Sequence, residues 1–281
     1  MAHTELLTIA AFTFREARRR RVFAAVGLLS IGFLGLYAVL ARVVVSGAGA
    51  NAGPFGRAAL AGAVGLLGVY LARSFSGLLA ILVSAGAVAG EVDSGALQSV
   101  LARPLRRSTV LLGKFLGLGA LLAAYTALLQ AAVLVLAAVL AGGHLPDPAA
   151  VVGWLCLEPV ILLALTLLGS TFLPTVANGA ACVLLYGIAV AGGSLEQLGT
   201  FIGRPGLQDA GIVTGLLLPA DAPYREAFAI ASRGLAGGIT EALGPLFGTL
   251  ARPDAAMLAY AAAYPCALLA LAVWVFARRD V

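Results

Sequence analysis

Long apolar runs separated by short charged intervals dominate the chain. A helix needs roughly 20 apolar residues to cross the hydrocarbon core of a bilayer, and Val22 to Ala41 supplies them with no charge between Arg21 and Arg42. Further runs at 74–90, 115–140, 149–173, 176–193 and 255–277 bring the expected spans to six. The pattern predicts an all-α polytopic membrane protein built as a single domain. Pro174 and Asn178 interrupt an otherwise continuous fourth and fifth pair. Arg73 divides the apolar stretch from Ala58 to Gly90, and the expectation is that it snorkels at the outer interface.

Three segments outside the spans carry their own patterns. Over 4–21, Leu6, Leu7, Ala10, Phe14 and Ala17 fall within an arc of about 100° at helical spacing, with Arg15, Arg18 and Arg19 elsewhere. This predicts an amphipathic helix along the inner leaflet; a basic leader serving topology alone is the plainer reading. Over 91–107, Val92, Ala96, Leu97, Val100 and Leu101 form one apolar face of a short helix that stops at Arg103, before Pro104. Ser108 is placed to cap the third span, with Lys114 still near the headgroups. An ordinary basic loop would explain the arginines, but not the amphipathic helix or Glu91 at its start. From 194 to 254, five prolines break the chain into pieces too short to span. This segment is expected to form an external, re-entrant cap, with short helices at 211–218 and 226–232.

Composition agrees with a lipid setting: 61% of the residues are hydrophobic, 11% are charged, and the mean hydropathy is +1.02. Charge then fixes the orientation. Eleven of the eighteen cations (Arg15, Arg18 to Arg21, Arg103, Arg106, Arg107, Lys114, Arg278 and Arg279) fall on one side of a six-span arrangement. The positive-inside rule assigns that side, and both termini, to the cytoplasm of a bacterial-type inner membrane. The net charge of +5 therefore reports topology; a nucleic-acid surface would need a basic face with stacking aromatics on a soluble domain. The first apolar run is too long, and lacks the small-residue cleavage pattern, for a removable signal peptide. Cys156, Cys182 and Cys266 stand alone in apolar sequence, which implies packing rather than disulfides or a thiolate metal site.

An acidic residue leaving span two, a glycine four residues on, and then LARPLRR and LLGKFLG resemble the permease subunits of the type-two ABC exporter class. The pattern is similar to the branch associated with maturation of the copper sites of nitrous oxide reductase. The leader ending FREARRRRVF and the terminal FARRDV are similar to that branch as well. The resemblance implies an N-terminal elbow helix and, after span two, a coupling helix that fits a cleft on a separate ATPase chain. Glu91, Gly95, Leu97, Leu101, Arg103, Pro104, Arg106, Gly113 and Lys114 occupy that region, with Ala96 where threonine is more usual. A second, smaller coupling turn is implied around Phe172, Leu173 and Pro174. The resemblance also implies export, with a periplasmic accessory protein left open.

ATP chemistry itself has no seat here. A P-loop needs upstream glycines and a Lys followed by Ser or Thr, whereas Gly113 and Lys114 are followed by Phe115. No cofactor is expected in this chain, ATP and Mg belonging to the partner. One coupling loop per permease suggests two permeases, as a homodimer, with two ATPases about a twofold axis. Glu158, before Pro159 in span four, is the carboxylate deepest in an expected span. It is a candidate for substrate or proton contact, with pairing to another polar group as the alternative. Asp93, Ser94 and Gly95 match a protease triplet, yet that chemistry needs two carboxylates on a β scaffold. Copper ligation would call on sulfur and imidazole, and beyond its cysteines the chain offers only Met1, Met257, His3 and His144; no metal site is expected. The rival function is a proton-coupled secondary transporter, which would ordinarily show internal repeats.

Overall fold

The computed structural model describes residues 2–19, 21–47, 53–87, 89–90, 107–141, 146–234 and 252–278. These residues form nine α-helices: α1 (Ala2–Arg19), α2 (Arg21–Gly47), α3 (Pro54–Ser84), α4 (Arg107–Ala141), α5 (Pro148–Ser170), α6 (Thr175–Ile202), α7 (Pro205–Leu217), α8 (Ala222–Ala231) and α9 (Ala255–Arg278), with a 3-10 turn at Ser232–Gly234. Six are long and apolar enough to cross a membrane: α2, α3, α4, α5, α6 and α9. α5 is central. It packs against α3, α4, α6, α8 and α9, and Ile161 to Ala164 are wholly buried along it.

α2 lies at the edge of the bundle. Leu28, Ile31, Leu36, Val39 and Val43 are exposed, as befits a helix that faces lipid or a second subunit. Its inner face is keyed into α3 and α4 by Tyr37, whose hydroxyl donates to Val64 O at 3.0 Å. The Tyr37 ring occupies a notch at Gly68, where a Cβ would come within 2.6 Å of it.

α1 packs along α4. The close approach is at Gly117, where a Cβ would lie 2.5 Å from Ala10 O and 3.0 Å from Thr13 Cβ. Phe14 joins the core beside it. The expected apolar arc is therefore split: Ala10 and Phe14 turn toward α4 together with Thr13, while Leu7 is exposed. Helix–helix packing at a glycine overrides the simple stripe.

Three boundaries differ from the sequence expectation. The second span covers Ala59–Ser84 rather than 74–90, and Arg73 is buried near its middle at 3% exposure instead of snorkelling at an end. The reason is electrostatic: two carboxylates reach it inside the protein, as described below. The third span begins at Ser108, so Lys114 lies two turns inside it and is 6% exposed. The fifth continues to Ile202 because a returning helix covers its far half.

That returning helix shows how the expected cap is built. Gly203 takes the left-handed conformation (φ 67°) and ends α6; Pro205, pre-set for a first helical turn, starts α7. α7 runs back antiparallel along α6: Gly199 meets Leu207 and Gln208, Gly211 meets Glu196, and Gly192 meets Thr214, each too closely for a side chain on the glycine. The turn at 218–221 then reverses into α8, which is buried nearly throughout. Among the described residues of this segment, α7 and α8 form a hairpin packed against α6 and α5. Its short helices are α7 and α8, starting earlier than the expected 211–218 and 226–232.

Reversing a helix at membrane depth strands the carbonyls of its last turn. Here Tyr260 and Tyr264, one turn apart on α9, donate to Leu216 O at 2.6 Å and Leu217 O at 2.7 Å. α9 thus supplies what water would supply outside.

Gly117→Val should prise α1 from α4, at a cost of about 1–3 kcal/mol for overpacking. Limited trypsin digestion of the basic stretch at 15–21 would then be accelerated; unchanged digestion would show that the close approach is not what holds α1.

Candidate functional site

The deepest polar feature is a charge cluster shared by α3, α5, α6 and the hairpin tip. Arg73 donates through Nε to both carboxylate oxygens of Glu158, at 2.9 and 2.7 Å. Its Nη2 lies 2.9 Å from Asp221 Oδ1, an ion pair outside the alignment of a good hydrogen bond. The Tyr186 hydroxyl donates to Glu158 Oε1 at 2.9 Å. The guanidinium lies over the Tyr224 ring, 4.2 Å from its centroid, a cation–π contact that adds to the ion pairs.

Counting along the helices fixes the depth. Arg73 precedes the end of α3 at Ser84, Glu158 precedes the end of α5 at Ser170, and Tyr186 follows the start of α6 at Thr175, each by three turns or slightly more. At a rise of 1.5 Å per residue the cluster is roughly 16–18 Å from one end of the bundle, about halfway across a ~30 Å core. Asp221, at the tip of the hairpin, is carried to the same level by its contact with Arg73.

Sequence chemistry explains the arrangement. An isolated guanidinium or carboxylate at this depth is costly, and the cost falls only when opposite charges meet with their hydrogen bonds made. Glu158 is 1% exposed and accepts three hydrogen bonds. It pairs with a polar group, and it pairs with the very arginine that interrupts span two. Asp221 brings a second carboxylate to the same guanidinium, and its buried Oδ2 has no hydrogen-bond partner among the described residues, packed so close to Gly193 that a Cβ there would come within 2.3 Å.

Beyond the cluster, toward the hairpin's open end, lies a cavity of about 400 Å³ whose lining includes Glu196, Asp221, Arg225, Arg252, Asp254 and Met257. Its charges are mostly engaged. Arg225 forms a two-pronged pair with Glu196 at 2.7 and 3.0 Å, locking α8 to α6. Arg252, just before α9, grips Glu226 of α8 in the same manner, and the Glu226 carboxylate pushes the guanidinium pKa further above its ordinary value.

The opposite end of the bundle holds the second group of interest. α3 ends at Ser84, and the chain turns through 85–87. Asn178, near the start of α6 and wholly buried, donates to Ala85 O and to Thr166 O, both at 2.9 Å. Lys114 donates from α4 to Ala87 O. Its ammonium is therefore turned into the protein, not toward the headgroups. The turn at 171–174 between α5 and α6 lies beside this junction: Phe172 is 54% exposed, Leu173 N bonds Gly169 O at 2.8 Å, and Pro174 precedes α6. Glu91, Gly95, Leu97, Leu101, Arg103, Pro104 and Arg106 lie outside the described residues.

Sequence reasoning missed Asn178, Asp221, Tyr186 and Tyr224 as members of these groups. One signal was available: an arginine and a glutamate interrupting two different apolar runs are each other's natural counter-ions.

Six long apolar helices packed around a buried ionic cluster are the architecture of a multi-pass membrane protein. The chain matches the family described as ABC-2 family transporter protein over residues 7–281, and it belongs to that family. No individual curated protein matches it. It is a multi-pass membrane protein, the membrane-spanning subunit of an ABC transporter; the subunit lacks an ATPase site and works with an ABC ATPase.

Arg73→Met would leave two buried carboxylates uncompensated and should lower stability by about 3–5 kcal/mol. Tyr186→Phe, which removes one hydrogen bond to a charged group, should cost about 1.5 kcal/mol. Thermal unfolding in detergent ranks the two. Equal, small losses would mean that the cluster is not a structural anchor.

Proposed function

We propose that this permease is the transmembrane half of an ATP-driven exporter. Two copies work with two ATPases, and the loop at 91–107 and both termini face the cytoplasm of a bacterial-type inner membrane. The observation that supports this best is the meeting of two chain segments at one end of the bundle. The exit of α3, which leads into the loop carrying Glu91, Gly95, Leu97, Leu101, Arg103, Pro104 and Arg106, lies beside the turn of Phe172, Leu173 and Pro174. Asn178 bridges them, and Lys114 secures the same exit. These are the segments that the resemblance to type-two exporters makes the major and minor ATPase contacts. The narrower assignment, to the branch associated with copper-site maturation of nitrous oxide reductase, rests on LARPLRR and LLGKFLG together with the leader ending FREARRRRVF and the terminal FARRDV.

In this reading ATP binding closes the ATPase pair, the coupling segments are displaced, and the spans rearrange as rigid bodies. Glu158 serves as the counter-ion that keeps Arg73 tolerable in the membrane rather than as a carrier. A proton-coupled secondary transporter would need a carboxyl able to exchange its proton with both sides in turn. A glutamate with three hydrogen bonds and 1% exposure weighs toward the structural role.

Purification from native membranes of wild type beside Glu91→Ala and Arg103→Ala tests the reading. A Walker-type ATPase at near-equal stoichiometry with wild type, and lost or reduced at least tenfold with the variants, is the expected result. A permease that retains its ATPase in both variants would remove the loop from the coupling role.

A further inference from the structure

Three consecutive residues after the end of α3 are held from outside by three different side chains. Ala85 O accepts from Asn178, Gly86 lies against Thr175, where a Cβ would come within 3.0 Å of Thr175 Cγ2, and Ala87 O accepts from Lys114. Two of these side chains come from the first turns of α6 and one from α4. Asn178 does more than cap a helix. Its amide nitrogen also donates to Thr166 O of α5, while its oxygen receives Cys182 Sγ at 3.5 Å. That oxygen occupies the space a side chain on Gly169 would need, 2.0 Å from the ideal Cβ. One buried amide thus joins α3, α5 and α6 at the level where the ATPase-facing loop departs.

Such a joint resists sliding. An amide with no exposed surface has no water to replace its partners, so moving α3 along α5 or α6 breaks hydrogen bonds in a low-dielectric setting with nothing in exchange. Farther into the membrane the same three helices are joined again, by Arg73 of α3, Glu158 of α5 and Tyr186 of α6. Two anchor points along three helices make one rigid body. That body holds Asp221, and with it the hairpin tip, at its inner anchor.

We infer that Asn178 is a positioning residue for transport: it fastens the root of the ATPase-coupling loop to the α5–α6 turn, so that displacement at either contact moves spans two, four and five together and reaches the re-entrant hairpin through Arg73 and Asp221. This rests on the coupling role proposed above. Asn178 acts through Ala85 and Thr166.

The test uses the permease in complex with its ATPase in lipid nanodiscs. Cys156 and Cys266 are replaced by alanine and Cys182 by serine, which keeps a donor for Asn178. Spin labels are placed at Val213 on α7 of the two permease copies, where the residue is exposed, so that their separation reports how far the two hairpin-bearing bodies move. Their separation is measured without nucleotide and with ATP plus vanadate. Wild type is expected to show a nucleotide-dependent shift. Asn178→Ala, with the ATPase still bound at equal stoichiometry, is expected to lose at least half of it. Lys114→Met, which removes the neighbouring fastening without leaving a polar stump, should do the same if Asn178→Ala proves too unstable to purify. A full wild-type shift in both variants overturns the inference. So does loss of the ATPase from Asn178→Ala, which would make the residue part of docking. Absence of any shift in wild type with ATPase bound would instead overturn the coupling reading on which the inference stands.

Discussion

A guanidinium cannot sit alone in the middle of a membrane, and the position of Arg73 makes that constraint the organising one for this protein. Its charge must be met within the protein, and Glu158 from α5 and Asp221 from the hairpin tip meet it. Tyr186 and Tyr224 complete the shell from α6 and α8. The elements joined this way are those that the apolar pattern alone would leave free to slide, since lipid tails are as apolar as leucine and give helices little reason to choose one neighbour over another. Polar contacts and glycine notches supply the choice. Tyr37 at Gly68, Ala10 at Gly117 and Thr214 at Gly192 are the notches; the Arg73 cluster and the Asn178 joint are the polar locks.

The re-entrant hairpin depends on the same logic. Its tip turns back inside the bundle, where unpaired backbone groups are expensive. Tyr260 and Tyr264 take up the carbonyls ending α7, and Asp221, at the start of α8, finds Arg73. Glu196 with Arg225, and Glu226 with Arg252, tie the hairpin to α6 and to the approach to α9. A permease that moves its spans as rigid bodies needs such an element to travel with one group of helices, and these pairs decide which group it follows.

Much of this was legible in the sequence. Six apolar runs and a basic leader gave the span count and the separate N-terminal helix. Prolines at 205 and 223 mark a segment broken into short helices, and the loop motif points to an ABC permease. What stayed hidden has a common cause. Hydropathy puts Arg73 at an interface and starts span two late, because it scores one helix at a time whereas the tolerability of a buried charge depends on a partner 85 residues away. Lys114 was placed near headgroups for the same reason, its acceptor being a backbone carbonyl that only the end of α3 exposes. Asn178 registered as an interruption because its value lies in two carbonyls contributed by other helices. The hairpin's depth could not be read from proline spacing, which locates breaks and not directions.

Arg73 and Asp221 are energetically coupled across the boundary between span two and the hairpin, and a double-mutant cycle between them measures that coupling. Arg73→Met, Asp221→Asn and the double variant would be compared with wild type by reversible unfolding in lipid nanodiscs. The double variant is expected to lose less stability than the sum of the single losses, with a coupling of about 1–3 kcal/mol. Losses that add within about 0.5 kcal/mol would mean that the two groups do not sense each other, and would contradict that coupling.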